Sequence, residues 1–329
     1  MISVFSVLNK VILEEDIVVD GDFSIIHNSN RLEEIGSENT FIAVGSIYYQ
    51  SIIKQPVIIQ RLQEENVNPY NLVKSFRGYF QHFLLSLWLL KDNSINLDDI
   101  VLIDTNQNVI FTDRNPLLFS NSQGEYVDVN LATNEVHEAL IWFERLKPYF
   151  MYDAQTNDYK GDEYDGSIEV HMNNNNKDIE YYRYNRLERA IRFIALARGE
   201  SFPPAKITFY ISALESLFST SNIEVKMQVA DRTARVLSKD FEERIKINKV
   251  VGIAYSFRSN YIHGSVNSQK TIRKILKPYD TIEEISCELD EILRRVSKLF
   301  LTDLNHVIKM DDSSFSVWIS ELLYKEKSE

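Results

Sequence analysis

The chain has 329 residues, of which 44% are hydrophobic and 26% charged, with one cysteine, Cys287. That length can bury one large core or two ordinary ones, and the composition excludes a disordered, fibrous or disulfide-framed protein. The formal net charge is −12, but residues 1–180 hold 12 Lys+Arg against 28 Asp+Glu while 181–329 hold 24 against 20.

Within 206–277 there are 13 basic and 6 acidic residues. Such asymmetry allows one basic face for a nucleic acid on an acidic molecule, and it equally fits an ordinary solvated helical surface. The apolar N-terminus has no basic residue ahead of it and soon meets Glu14, Glu15 and Asp16, unlike a signal peptide. The strongest apolar run, 83–90, is far shorter than the ~20 residues that span a bilayer. The expectation is a soluble, cytoplasmic protein with no membrane partner.

In chain order, 16–26 reads as two short strands around Asp20-Gly21, and 40–49 and 57–60 as further strands. From 68 to 91, Leu72, Val73, Phe76, Phe80, Phe83, Leu84, Leu87 and Leu90 recur at helical spacing and predict a buried helix. Residues 100–112 read as a hairpin around Asn106-Gln107-Asn108. Residues 134–149 read as a helix with Val136, Leu140, Phe143 and Leu146 on one face. An acidic, mixed α+β N-terminal domain over 1–152 is expected. Residues 153–178, rich in Asp, Asn and Gly, read as a connector.

An all-α bundle is expected over 179–329. Its predicted helices are 180–198, 205–219, 224–237, 242–263 and a long 281–308, closed by a short one at 315–324. Ile207, Tyr210, Ile211, Leu214, Leu217 and Phe218 follow the 3.6-residue period, and Gly264 stands where a helix C′ residue belongs.

The sequence lacks a Gly-rich phosphate loop, a dinucleotide fingerprint and Gly-x-Ser-x-Gly. His137-Glu138 opens like a zinc-protease motif, but position 141 is Ile, and no two histidines stand at ligand spacing. No metal or cofactor is expected.

The helix predicted over 242–263 carries an apolar stripe of Ile247, Val250, Val251, Ala254, Phe257 and Tyr261. Arg258 lies beside that stripe, so it needs an anionic partner. His263 follows at the helix end, and five residues at about 100° each put the two roughly 140° apart. They converge only if the helix unwinds near Gly264 or if the site is shared with a second subunit. The pair suits RNA cleavage. A neutral imidazole can take the 2′-OH proton, and a guanidinium can bind the oxygens of the charged transition state. No metal is required, and a second histidine from a partner subunit could protonate the leaving 5′ oxygen.

Arg-x4-His at the end of a bundle helix is the ribonuclease motif of the HEPN superfamily. Three blocks narrow the likeness: Tyr210-Ile-Ser-Ala-Leu-Glu215-Ser-Leu-Phe218, then Ala230-Asp-Arg232-Thr-Ala-Arg-Val-Leu237, then Phe257-Arg258-Ser259-Asn260-Tyr-Ile-His263-Gly264. In this order they resemble the ApeA-type HEPN family of bacterial anti-phage and abortive-infection proteins, over about residues 180–305. The resemblance implies a helical bundle, active as a homodimer, that cleaves RNA to shut down an infected cell. A phage-derived trigger or an antitoxin would control it. The family often has Asn, Asp or His directly after the arginine; here Ser259 stands there and Asn260 follows.

Each residue also has a structural reading. Arg258 can be an arginine paired with Glu215, and Glu215 is expected to orient it. His263 can be a helix-terminus residue favoured by the dipole. Arg232 can bind a phosphate, but a salt bridge is the expectation. A rival function of another class is a catalytically silent HEPN module that serves as a dimerisation or adaptor unit for another defence protein.

Overall fold

The first strand sets the N-terminal architecture. In the computed structural model, which describes residues 1–19, 22–29, 32, 35–63, 68–106, 109–149, 184–221, 223–264 and 268–325, β1 (Ile2–Asn9) is buried along almost its whole length. It pairs antiparallel with β5 (Val57–Leu62) on one side and β6 (Asn96–Asp104) on the other. β3 (Ile17–Val18), β4 (Phe23–Ile26) and β7 (Val109–Asp113) complete a six-stranded antiparallel sheet of order β3-β4-β5-β1-β6-β7. β2 (Val11–Ile12) and β8 (Val129–Asn130) form a small parallel pair.

Alternation along β1 sorts its side chains between two cores, as the period of a strand demands. Ile2, Val4 and Leu8 pack with α3 (Pro69–Leu90) and α4 (Thr133–Leu146). Phe5 and Val7 pack on the other face with Ile52 of α2 (Ser46–Lys54), flanked by Val44 of α1 (Glu38–Val44). The sheet is therefore covered on both faces. The strand expected over 40–49 is not formed. Its β-branched residues lie in α1 and α2, because Ser37 caps the Thr40 N–H and Gly45, at φ 79°, separates the two helices. Paired strands form within 16–26 and 100–112, though the expected turns at Asp20-Gly21 and Gln107-Asn108 lie outside the described residues. The strand at 57–60 and the helix at 68–91 form, and the helix expected over 134–149 is α-helical to Leu146 and 3-10 over Lys147–Tyr149.

The second half is helical: α5 (Arg186–Gly199), α6 (Pro203–Phe218), α7 (Val225–Leu237), α8 (Phe241–Ile262), α9 (Gln269–Leu276), α10 (Ile282–Leu301) and α11 (Asp312–Lys325). The main departures from the sequence reading are two boundaries and one added helix. The described part of the helix expected from 180 starts at Arg186, where Asn185 and Glu188 form a reciprocal capping box. The helix expected to reach 308 stops at Leu301. The Thr302 hydroxyl donates to the Lys298 carbonyl at 2.8 Å, and a 3-10 turn follows at Asn305–Val307. α9 was not anticipated; Ser268 caps it by accepting from the Thr271 N–H. The connector expected over 153–178 lies outside the described residues. No described helix is long and apolar enough to cross a membrane.

α3 links the halves. Val73, Phe80, Phe83 and Leu84 face the sheet, while Leu85, Trp88 and Leu89 enter the bundle core with Leu146 of α4. A buried polar network crosses the same contact. The Asp290 carboxylate of α10 accepts from Trp88 Nε1 at 2.8 Å, Tyr210 OH at 2.9 Å and Arg294 Nε at 2.9 Å. Arg198 reaches the Leu84 carbonyl and Asn93 and lies over the Phe119 ring. Lys206 donates to the Ala197 carbonyl at 2.7 Å. Burial lowers Lys206 to about 8 and Arg198 to about 10, although Asp290 opposes both shifts.

Candidate active site

α6 and α8 pack against each other and present the two halves of the expected site. On α6, Ile207, Tyr210, Ile211, Leu214, Leu217 and Phe218 are all buried, which leaves Glu215 at the edge of that face. On α8, Ile247, Val250, Val251 and Ala254 are buried, and Arg258 continues the row one turn beyond Ala254. Burial of the two stripes against each other thus brings Arg258 to Glu215. Arg258 Nη1 donates to Glu215 Oε1 at 2.6 Å, and each side chain is 21% exposed.

Tyr255 completes this cluster. Its ring lies under the Arg258 guanidinium, 5.5 Å from ring centroid to Cζ. Burial raises the Tyr255 phenol, Glu215 adds to the rise through its charge and a hydrogen bond, and Arg258 opposes it. The sequence reading passed over Tyr255, although its place three residues before Arg258 sets it on the same side of α8. Arg258 Nε is buried with no hydrogen-bond partner.

His263 is the C-cap of α8. Its N–H donates to the Ser259 carbonyl at 3.1 Å, its side chain is exposed, and Gly264 follows at φ 63° as the expected C′ residue. Among the described residues, no hydrogen bond or ion pair joins His263 to Arg258. The helix keeps its form to Ile262, so the unwinding that would bring the pair together within one chain does not occur before His263. Ser259 and Asn260 are half-buried, and no side-chain hydrogen bond is formed by either among the described residues.

Arg232 takes a different place from the salt bridge expected of it. It donates to the Phe218 carbonyl at 2.5 Å and to Thr220 Oγ1 at 3.0 Å, so it satisfies the C-terminal end of α6. A helix end offers free carbonyls as well as a negative dipole, and a guanidinium meets both without a carboxylate. Among the described residues, no three His, Cys, Asp or Glu side chains gather as a metal site.

The chain matches no protein-family model, no curated protein and no solved structure.

Proposed function

We propose that the protein is a metal-independent endoribonuclease of HEPN type, acting in the cytoplasm in anti-phage defence, abortive infection or a toxin–antitoxin pair. The observation that carries this reading is the placement of Arg258. It is anchored by Glu215 at the packed face of two bundle helices, yet it keeps an exposed edge and further donors. An exposed histidine ends the same helix. In this reading His263 takes the proton of a ribose 2′-OH. The O2′–P bond forms and the P–O5′ bond breaks, leaving a 2′,3′-cyclic phosphate and a 5′-hydroxyl. Arg258 binds the phosphate oxygens as charge builds on them. The departing 5′ oxygen takes a proton from the histidine of a second copy in a two-fold dimer, because one chain supplies a base and no evident acid.

A second reading has its own observation. Arg258 commits Nη1 to Glu215 and, among the described residues, forms no hydrogen bond with His263. That arrangement also fits a silent HEPN bundle that serves as an adaptor for another defence protein. Purified protein incubated with RNA and a chelator separates the two. The ribonuclease should cleave and leave cyclic phosphate ends. His263→Ala should slow it by about 10²–10⁴-fold and Arg258→Ala by about 10²–10³-fold. Cleavage that needs added magnesium, or survives both substitutions, sinks the mechanism. Absence of cleavage in every form favours the adaptor.

A further inference from the structure

The charge asymmetry of the chain is steepest beside this site. Residues 244–279 hold eight Lys and Arg and no Asp or Glu, in a chain where acidic residues outnumber basic ones 48 to 36. Four of these cations, Lys270, Arg273, Lys274 and Lys277, lie on α9 and its C-cap. Steps of three, four and seven residues from Lys270 place them within roughly 100° of one another around the helix. All four are exposed, and none has a side-chain hydrogen bond or ion pair among the described residues. The other side of α9 is already in use, with Leu276 buried and Ile272 packed on the bundle core.

Several cations elsewhere in the bundle are paired with carboxylates. Arg294 meets Glu291 and Asp290, Arg295 meets Glu243, and Lys246 meets Glu288. On α9 the cations at spacings of three and four repel one another instead, which destabilises a helix unless an anion covers them. The buried apolar side also removes the means by which an amphipathic helix enters a lipid surface. α9 packs against α8 and begins five residues after Gly264, so it starts close in the chain to the His263 end of α8.

We infer that α9 is an anchoring strip for the phosphate backbone of single-stranded RNA, which it leads to the His263 end of α8. The choice of RNA over other polyanions rests on the ribonuclease reading. The strip grips phosphates without reading sequence, so its contribution is electrostatic and salt-dependent.

The test is fluorescence anisotropy of a 2′-O-methyl single-stranded RNA oligomer, which lacks the attacking hydroxyl, across a salt series. Wild type is compared with K270Q/R273Q/K274Q and with K270E/R273E/K274E, each checked by thermal melting. Three lost phosphate contacts at a slope of about 0.7 each should flatten the log–log salt dependence by about 2 and weaken binding roughly 100-fold near 0.1 M salt. If the folded variants bind with wild-type affinity and slope, the strip is overturned, and cleavage by wild type would still uphold the ribonuclease. If wild type binds the oligomer, the variants do not, and no RNA is ever cleaved, the strip stands and the ribonuclease falls. Binding to phosphatidylserine vesicles with none to the oligomer overturns the strip in favour of a membrane surface.

Discussion

Asp290→Asn tests what joins the two halves of the molecule. Asp290 is 1% exposed, and its carboxylate receives Trp88 and Tyr210 on Oδ1 and Arg294 on Oδ2. The substitution keeps the size and removes the charge that faces Arg294, Arg198 and Lys206. An amide also has one acceptor oxygen, so if that oxygen keeps Trp88 and Tyr210, its NH2 group is turned on the Arg294 donor. Removing one partner of a buried charge pair costs about 3–5 kcal/mol. Arg294 retains Glu291 at 2.6 Å, so the lower end, about 3 kcal/mol, applies. Tyr210→Phe removes one hydrogen bond to the same carboxylate, which keeps its other two donors, and should cost about 1.5 kcal/mol, the low end for a charged acceptor. Urea unfolding followed by tryptophan fluorescence compares the two, and Trp88 reports from inside the network. An Asp290→Asn loss no larger than that of Tyr210→Phe would refute the reasoning. The apolar contacts of α3 would then hold the halves together by themselves.

Glu215→Gln should destabilise the bundle by roughly 1–3 kcal/mol in a thermal or urea melt, between the values for exposed and fully buried pairs, since both partners are part-exposed. Lys206 titrates at about 8 in the folded chain, whereas an unfolded lysine titrates near 10.4. The unfolded state holds the extra proton between those values, so stability should rise with pH from about 8 towards 10, and Lys206→Met should lack that rise. Burial lowers His82 to about 4, against roughly 6.5 when unfolded. Protonation of the unfolded chain should therefore erode stability as pH falls from about 6.5 to 4, and His82→Gln should show a shallower loss in denaturation curves over that window.

Much of the candidate site was legible from local patterns. The stripe on α6 from Ile207 to Phe218 is buried as its spacing required. That on α8 is buried from Ile247 to Ala254, but Phe257 is half-buried and Tyr261 exposed, because the helix runs past the packed core there. Arg258 beside one stripe and Glu215 beside the other made their pairing a reasonable expectation. Its 2.6 Å geometry and the insertion of Tyr255 depended on how the two helices cross. The place of Arg232 was misread because a helix terminus competes with carboxylates for a guanidinium, and only the packed ends of α6 and α7 decide which is nearer.

Periodicity in the sequence determined the bundle helices other than α9, the paired strands within 100–112 and the roughly 140° offset of Arg258 and His263, because each follows from repeat geometry within one segment. Tertiary structure alone decided three other features. β1 is covered on both faces, so it lacks the polar alternation of a half-exposed strand and becomes visible only beside β5 and β6. Residues 40–49 have strand-like composition, yet capping and packing under the sheet made them helical. Asp290 and Lys206 sit inside apolar stripes, and spacing along the helix offers Asp290 only Arg294, four residues on. Their remaining partners lie on other elements, Trp88 on α3, Tyr210 on α6 and Ala197 on α5, and a buried charge is tolerated only where such distant groups converge on it.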